Sequence, residues 1–216
     1  MTGNDLGEFL RAHRSRLRPG DVGLPSYDRR RVTGLRREEV AVLAGMNSDY
    51  YARLEHAGAP AFVLNPAKDF VGLNALAEAL FSPFGAVDNL ARMTFLDLAA
   101  RRFFVRWERF AESVVAGLRH AHGLDPEYPR LRELVRSLSE ESDAFAALWS
   151  SHAVYGKTQE ATELLHPDVG PLALVSQSFD VRGAPGQILV IYQADSGSRS
   201  ADALILLGAL HATSRP

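Results

Sequence analysis

Polar side chains that could contact the bases and phosphates of DNA follow a glycine at position 45. They supply an amide, two hydroxyls and a guanidinium: Asn47, Ser48, Tyr50 and Arg53. Such groups bind base edges in the major groove, and arginine also binds phosphate. Asp49 would repel phosphate, so we expect it to cap a helix or to accept a hydrogen bond from a cytosine amino group. These residues therefore indicate recognition of double-stranded DNA.

The segment that would position them, residues 37–56, has the spacing of a helix-turn-helix. Ala41 lies where only a small side chain lets two helices cross closely, and Gly45 supplies the freedom that the turn needs. Glu38 and Glu39 favour the N-terminus of the first helix. Apolar residues occupy the positions at which the two helices pack: Val40, Ala44, Met46, Tyr51 and Leu54.

Arginines are concentrated just before and within this segment. Nine lie between residues 11 and 37 against two acids, although the whole chain has a net charge of −2. A charge run is often only a solvated face, but beside the helix-turn-helix pattern we favour a phosphate-binding surface. Arg36 and Arg37, together with Arg53, are the expected phosphate contacts.

The composition sets broad limits on the class of protein. The chain has 216 residues, of which 46% are hydrophobic, and it has no cysteine. Disulfides, thiolate metal sites and a cysteine nucleophile are therefore excluded. No apolar run approaches the roughly 20 residues of a membrane span, and the first residues lack the apolar core of a signal peptide. We expect a cytoplasmic protein that does not interact with a membrane.

Hydrophobic periodicity divides the chain into helices, then a hairpin and more helices, then strands. Helices are predicted over parts of 5–57 and at 75–81, about 88–122, 128–138, 142–153 and 199–211. Strands are predicted at 61–65, 69–74, 162–167, 170–179 and 186–194, with a turn at Pro185 and Gly186. Strands at both ends with helices between them predict an α+β domain whose sheet joins distant segments.

Motifs of common enzyme classes do not occur in the sequence, which has no G-x-S-x-G, G-x-x-x-x-G-K-[ST], G-x-G-x-x-G or H-E-x-x-H. His120 and His122 with Asp125 could be drawn as metal ligands, but the i, i+2 spacing puts the histidines on different helix faces. His166 is expected to be an ordinary cap or surface residue. We expect neither an enzyme, nor a metal site, nor a cofactor.

The chain resembles the MmyB-like regulators of the XRE-type helix-turn-helix superfamily over nearly its whole length. The matching segments are LGEFLRAHRSRLRPGDVGLP, RRVTGLRREEVAVLAGMNSDYYARLEHA, NALAEALFSPF, NLARMTFLD, FFVRWE, LWSSHAVYGKT, HPDVGPLAL and PGQILVIYQADSGSRSADALILL. The resemblance implies a small all-α DNA-binding domain at 1–58 and a PAS-like α+β sensor domain at 59–216. It also implies a long apolar ligand, a fatty acid in some members.

Two features depart from the family pattern. The family's recognition helix is followed by about two further helices, whereas residues 55–60 run directly into a strand, so the head is expected to be shortened. Gly72 stands where the second sensor strand tends to carry a tryptophan, which removes an aromatic ring from a pocket wall.

Aromatic residues in the middle of the chain are the candidates for contacting an apolar ligand, because a sheet wrapped by helices leaves an interior slot. Aromatics at helical spacing are more often core than pocket. The candidates are Phe81, Phe95, Phe103, Phe104, Trp107 and Trp149. Nearby arginines could bind a carboxylate, although a solvated helix face explains most of them equally well; they are Arg101, Arg102, Arg106 and Arg109.

Two functions remain open. The first is a sequence-specific, ligand-responsive transcription regulator that acts as a homodimer, because two half-sites strengthen recognition by a small helix. The second is a ligand-binding or hetero-dimerising partner that no longer binds DNA specifically. The two differ in whether the first 57 residues form a stable unit.

Overall fold

The computed structural model describes residues 14–24, 32, 34–43, 59–151, 162–181 and 184–213. The chain divides into two compact units, Met1–Ala59 and Pro60–Pro216. Each unit is described by itself.

The described part of the first unit is helical. Residues 14–16 are helical, Pro19–Val22 form a 3-10 turn, and α1 spans Arg37–Leu43. The backbone N–H of Arg36 donates to the Glu39 carboxylate at 2.7 Å, which satisfies one donor that precedes the helix. The predicted start of this helix near its acids is confirmed.

A close backbone approach joins residues 14–16 to the chain that leads into α1. The Leu35 N–H donates to the Arg14 carbonyl at 3.0 Å, and the Arg14 guanidinium donates to the Leu35 carbonyl at 2.9 Å. A Cβ at Gly34 would lie 2.6 Å from the carbonyl oxygens of Arg14 and Ser15. This contact therefore needs glycine at position 34.

The second unit is built on an antiparallel sheet. The described strands are β1 (Ala61–Leu64), β2 (Phe70–Leu73), β3 (Thr162–His166), β4 (Gly170–Asp180) and β5 (Ile188–Gln193). Within the described residues they form one sheet with the order β2-β1-β5-β4-β3. The last strand lies beside the first, so the predicted pairing of distant segments is confirmed, as is the α+β fold class.

Tight turns connect the hairpins, and the turn at Pro185 and Gly186 lies where the sequence predicted it. Gly186 has a φ of 79° in the turn before β5, and this favours glycine. A Cβ at Gly186 would lie 2.7 Å from Cγ of Pro66 in the β1–β2 turn. Lys68 has a φ of 64° in that turn, a conformation that only a few per cent of non-glycine residues adopt. The two turns therefore pack closely together.

Helices follow the first hairpin and close the chain. Those described are α2 (Ala75–Phe81), α3 (Leu90–Leu96), α4 (Ala100–Phe103), α5 (Trp107–Leu124), α6 (Pro129–Glu141), α7 (Asp143–Ser150) and α8 (Arg199–Thr213). α8 packs on α2 and on β4. The predicted helices at 75–81, 128–138 and 199–211 are confirmed within a few residues.

The prediction of one helical segment over about 88–122 was wrong, because the chain breaks twice within it. Asp97 follows α3 in an extended conformation, and its carboxylate accepts hydrogen bonds from the backbone of Gly85 and Ala99. Phe104 forms a bridge with Leu164, and the Val105 N–H donates to the Glu163 carbonyl at 3.0 Å. This pairing with a strand some 60 residues away leaves no trace in local periodicity.

Side-chain alternation defines an inner face of the sheet, the face that packs on the helices. Leu172 and Leu174 of β4, Tyr192 of β5 and Phe62 and Leu64 of β1 belong to the buried core on this face. The helices therefore cover the inner face of the sheet, and the core lies between them.

Candidate functional site

Aromatic rings above the inner face form a continuous cluster, which we call the sheet-side aromatic group. It consists of Phe62, Phe70, Phe81, Phe84, Phe103, Phe104, Phe110 and Tyr192. Phe81 is 5.4 Å from Phe62 and 6.3 Å from Phe103 between ring centroids. Phe103 and Phe104 meet edge to face at 5.1 Å. Such geometry adds to the stabilisation from burial.

A second cluster lies between helices, and we call it the helix-side aromatic group: Phe95, Trp107, Phe145 and Trp149. Phe95 contacts Trp107 at 5.8 Å and Phe145 at 5.1 Å, and Phe145 stacks on Trp149 at 5.7 Å. The Trp107 indole N–H donates to the Thr94 carbonyl at 2.9 Å. The group therefore packs α3, α5 and α7 together.

The six predicted ligand-contacting aromatics thus divide equally between the two groups. Phe81, Phe103 and Phe104 are buried on the sheet side. The helix-side group holds the other three, Phe95, Trp107 and Trp149. Helical spacing predicts burial of each ring but not which layer it enters.

Arginines near these aromatics lie at the surface. Arg101 lies over the Trp107 ring, 3.5 Å from its centroid, and approaches Glu108 at 3.7 Å. Arg106 pairs with Glu163 at 3.4 Å, and both side chains are exposed. Arg102 and Arg109 are also exposed. This arrangement is that of a solvated helix face, and exposed ion pairs of this kind contribute little to stability.

One polar group of the interior was not singled out from the sequence. Tyr192 of β5 is 3% exposed, and its ring lies 5.7 Å from that of Phe62. No residue in the described part of the chain hydrogen-bonds to its hydroxyl, and burial raises the pKa of that hydroxyl. The side chains of β5 that face inward are Ile188, Val190 and Tyr192, and only Tyr192 has a hydroxyl. This single hydroxyl at an inward position is the sequence signal by which Tyr192 could have been found. Tyr192 therefore has a neutral donor within an apolar interior.

The inner face becomes open and polar beside Tyr192. Ser176 of β4 lies directly opposite Tyr192, and Ser178 lies opposite Val190. Both serines are exposed, whereas Leu172 and Leu174 earlier in β4 are buried. The same face thus changes from covered to solvent-accessible along one strand.

His166 is a buried residue, and the expectation of a cap or surface histidine was wrong. Its Nε2 lies 3.2 Å from the Ala79 carbonyl, and its Nδ1 accepts a hydrogen bond from the Asp168 N–H at 3.2 Å. Only the neutral ring with a proton on Nε2 satisfies both bonds. Burial lowers the pKa of His166, partly offset by the Ala79 carbonyl and the Asp168 charge. His166 thus joins β3 to α2.

A polar network fixes the β1–β2 turn to the helices. The Asp69 carboxylate accepts hydrogen bonds from Arg130 at 2.8 and 3.0 Å, from Asn89 at 2.8 Å and from Asn65 at 2.8 Å. Burial acts to raise the pKa of Asp69, but these hydrogen bonds outweigh it and lower the pKa. The network orients the turn at one end of the sheet.

The predicted DNA contacts fall mostly outside the described residues. Arg36 is exposed and Arg37 is half-buried at the start of α1. Four of the predicted contacts lie outside the described residues: Asn47, Ser48, Tyr50 and Arg53. The structure therefore locates two of these six positions.

The histidines considered as metal ligands do not form a cluster. His120 and His122 are exposed, and the His122 ring lies 6.1 Å from Trp149. Across the described ranges, no group of three or more histidine, aspartate or glutamate residues could hold a metal ion. None of the described helices is both long and apolar enough to span a membrane.

Comparison with known proteins identifies the second unit. The model of the MmyB-like transcription regulator ligand binding domain matches residues 53–207, well over half of the chain. No curated protein matches the sequence. The match describes a ligand-binding domain of regulators and not a family of enzymes. The chain belongs to the family of the MmyB-like transcription regulator ligand binding domain.

Proposed function

We propose that this protein is a transcription regulator that binds DNA specifically through residues 1–58 and senses a small apolar ligand through residues 59–216. The observation that carries the proposal is a ligand-binding domain of regulator type whose interior holds a continuous aromatic layer over the sheet. Such a layer offers an apolar molecule a wall of rings, and few polar groups compete for it.

The ligand is proposed to contact the sheet-side aromatic group first. Phe81, Phe103 and Phe104 cover the inner face, and an acyl chain needs only apolar walls of this kind. A fatty acid is one such ligand. Phe95, Trp107 and Trp149 lie in the adjacent helix-side group and are proposed to shape the other wall. Ligand entry would then alter the packing of α3, α5 and α7.

DNA binding is proposed to use the first unit as the sequence pattern indicates. Arg36, Arg37 and Arg53 would bind phosphates. Three other side chains would contact base edges: Asn47, Ser48 and Tyr50. The exposed guanidinium of Arg36 at the start of α1 is consistent with this role. A homodimer would present two such heads to two half-sites.

A fluorescence-anisotropy titration of the full chain tests the DNA-binding part of the proposal. The duplex would come from upstream of the protein's own gene, with a scrambled duplex as competitor, at about 0.15 M salt because affinity depends steeply on salt. We expect tighter binding to the upstream duplex, which Asn47→Ala and Arg53→Ala each weaken. Arg132→Ala is the matched control, because Arg132 lies on α6 and pairs with Glu127 at 2.9 Å.

Equal, salt-sensitive binding to both duplexes would contradict specific recognition. That outcome would favour the alternative function, a ligand-binding or hetero-dimerising partner without specific DNA binding. The sequence pattern that favours it is the short spacing between the helix-turn-helix segment at 37–56 and the strand that begins at Ala61, which leaves little sequence for the further helices of a complete head.

A further inference from the structure

The strongest unexplained feature of the interior is the Tyr192 hydroxyl. A buried tyrosine hydroxyl ordinarily finds a hydrogen-bond partner, because leaving a buried donor unsatisfied is costly. Tyr192 is 3% exposed, and none of the residues that the structure describes offers its hydroxyl a partner. The surrounding inward side chains are apolar, and they include Phe62 and Val190. The hydroxyl is therefore placed to donate a hydrogen bond to an acceptor atom of a bound ligand.

The neighbouring elements also restrict the charge of that acceptor. β1, β2, β4, β5 and α2 contain no lysine and no arginine. They do contain two acids, Glu78 on α2 and Asp180 on β4, and Arg199 at the start of α8 is exposed. A carboxylate beside Tyr192 would therefore be desolvated without a countercharge from these described elements, which is strongly unfavourable. A neutral acceptor avoids that penalty.

Exposed residues adjoin Tyr192 on the inner face of the sheet. Ser176 lies opposite Tyr192 and is exposed, as is Ser178 beyond it. A ligand could therefore place its polar end near these hydroxyls and its apolar chain over the sheet-side aromatic group. This matches the usual composition of a binding site, which is apolar walls with a few polar groups that fix orientation.

We propose that Tyr192 anchors an amphiphilic ligand by donating a hydrogen bond to an uncharged oxygen at its polar end, such as that of an alcohol, an ester or a protonated acid. This inference rests on the proposed function, because it names the ligand chemistry of the same domain. It assigns the sensor a preference for neutral polar ends over ionised carboxylates.

Calorimetric titration of the full chain with decanol, methyl decanoate and decanoate tests the inference. At pH about 8 the acid is ionised, so the three probes share an apolar chain length and differ in their polar ends. We expect decanol and methyl decanoate to bind more tightly than decanoate. Tyr192→Phe should weaken both neutral probes by about 3- to 10-fold, the worth of one hydrogen bond. Tighter binding of decanoate than of decanol would overturn the proposed preference.

Tyr128→Phe is the matched control, because it also removes a tyrosine hydroxyl. Tyr128 precedes α6 and is only partly buried against the core. It should leave the affinities unchanged. If Tyr192→Phe also leaves both neutral affinities unchanged, the anchor role of Tyr192 is wrong while the proposed function stands. If no probe binds the unmodified chain, the proposed apolar ligand fails and this inference fails with it.

The thermal stability of the ligand-free Tyr192→Phe variant gives a second test. Because the hydroxyl has no partner among the described residues, its removal should leave the melting temperature unchanged or raise it. A clear fall in melting temperature would mean that the hydroxyl is bonded within the protein, and the inference would be overturned.

Discussion

Replacing Asn89 with alanine should destabilise the second unit more than replacing Asn65, the other asparagine that hydrogen-bonds to Asp69. Asn89 is fully buried and precedes α3. Its amide oxygen accepts hydrogen bonds from the N–H groups of Ala91 and Arg92 at 2.9 and 3.0 Å. Its amide nitrogen donates to the Ala67 carbonyl and to the Asp69 carboxylate, each at 2.8 Å. One side chain therefore caps a helix and closes a hairpin turn.

The expected magnitude follows from these four bonds. Loss of a helix cap costs about 1 kcal/mol, and an unsatisfied buried group adds about 1–3 kcal/mol. We expect Asn89→Ala to lower the free energy of unfolding by about 2–4 kcal/mol. For a domain of this size that corresponds to a fall in melting temperature of about 4–16 °C. Urea denaturation followed by circular dichroism measures the free energy directly.

Asn65→Ala provides the matched control for this prediction. Asn65 also hydrogen-bonds to Asp69, but it is half-buried and caps no helix. Its loss should cost about 1 kcal/mol or less. A destabilisation by Asn89→Ala that is no larger than that of Asn65→Ala would refute the reasoning, because it would mean that the buried carbonyl of Ala67 is satisfied without the asparagine.

Three further predictions concern His166, Arg130 and Gly34. In the folded chain the pKa of His166 is lowered from its usual 6.5. As pH falls through 6.5, this histidine therefore takes up a proton in the unfolded chain before it does so in the folded chain. The free energy of unfolding should decrease over that range, and His166→Gln should flatten the slope in urea titrations at several pH values. Arg130→Ala should lower the free energy of unfolding by about 0.5–1 kcal/mol, because the pair of Arg130 with Asp69 is partly exposed. In the folded chain the pKa of Asp69 is lowered from 3.8, so stability is lost as pH falls below that value. Arg130→Ala should make this loss smaller, because Arg130 is one of the groups that lower the pKa of Asp69. Gly34→Ala should lower the melting temperature, because its Cβ would lie too close to the carbonyl oxygens of Arg14 and Ser15. Gly20→Ala is the control and should not lower it, because the added Cβ has open space around it. Equal effects of the two substitutions would contradict the close approach at residue 34.

The strands and turns could be predicted because their causes are local. Short apolar runs at 61–64 and 188–192, bounded by turn residues, indicate buried strands, and Pro185 with Gly186 supplies a turn in which Gly186 adopts a positive φ. The joining of distant segments in one sheet could be predicted from the need to bury the strands at both ends of the domain, whereas the order of the strands was not predicted. These features depend on short stretches of sequence.

Features that depend on distant contacts could not be predicted in the same way. The break after α4 exists because Phe104 bridges to Leu164, and His166 is buried because its ring reaches the Ala79 carbonyl. The aromatic candidates divided between two layers for the same reason. Tyr192 could be recognised as a hydroxyl at an inward position, but only the three-dimensional structure shows that none of the described residues hydrogen-bonds to it.

The most direct test of the proposed function is the effect of an apolar ligand on DNA affinity. The anisotropy titration with the upstream duplex would be repeated with and without saturating decanol, with the full chain at constant salt. We predict that decanol changes the affinity for the upstream duplex by about 5- to 150-fold, the range of coupling between two linked sites, with no such change for the scrambled duplex. Specific DNA affinity that is identical with and without decanol, when decanol is shown to bind, would contradict a ligand-responsive regulator.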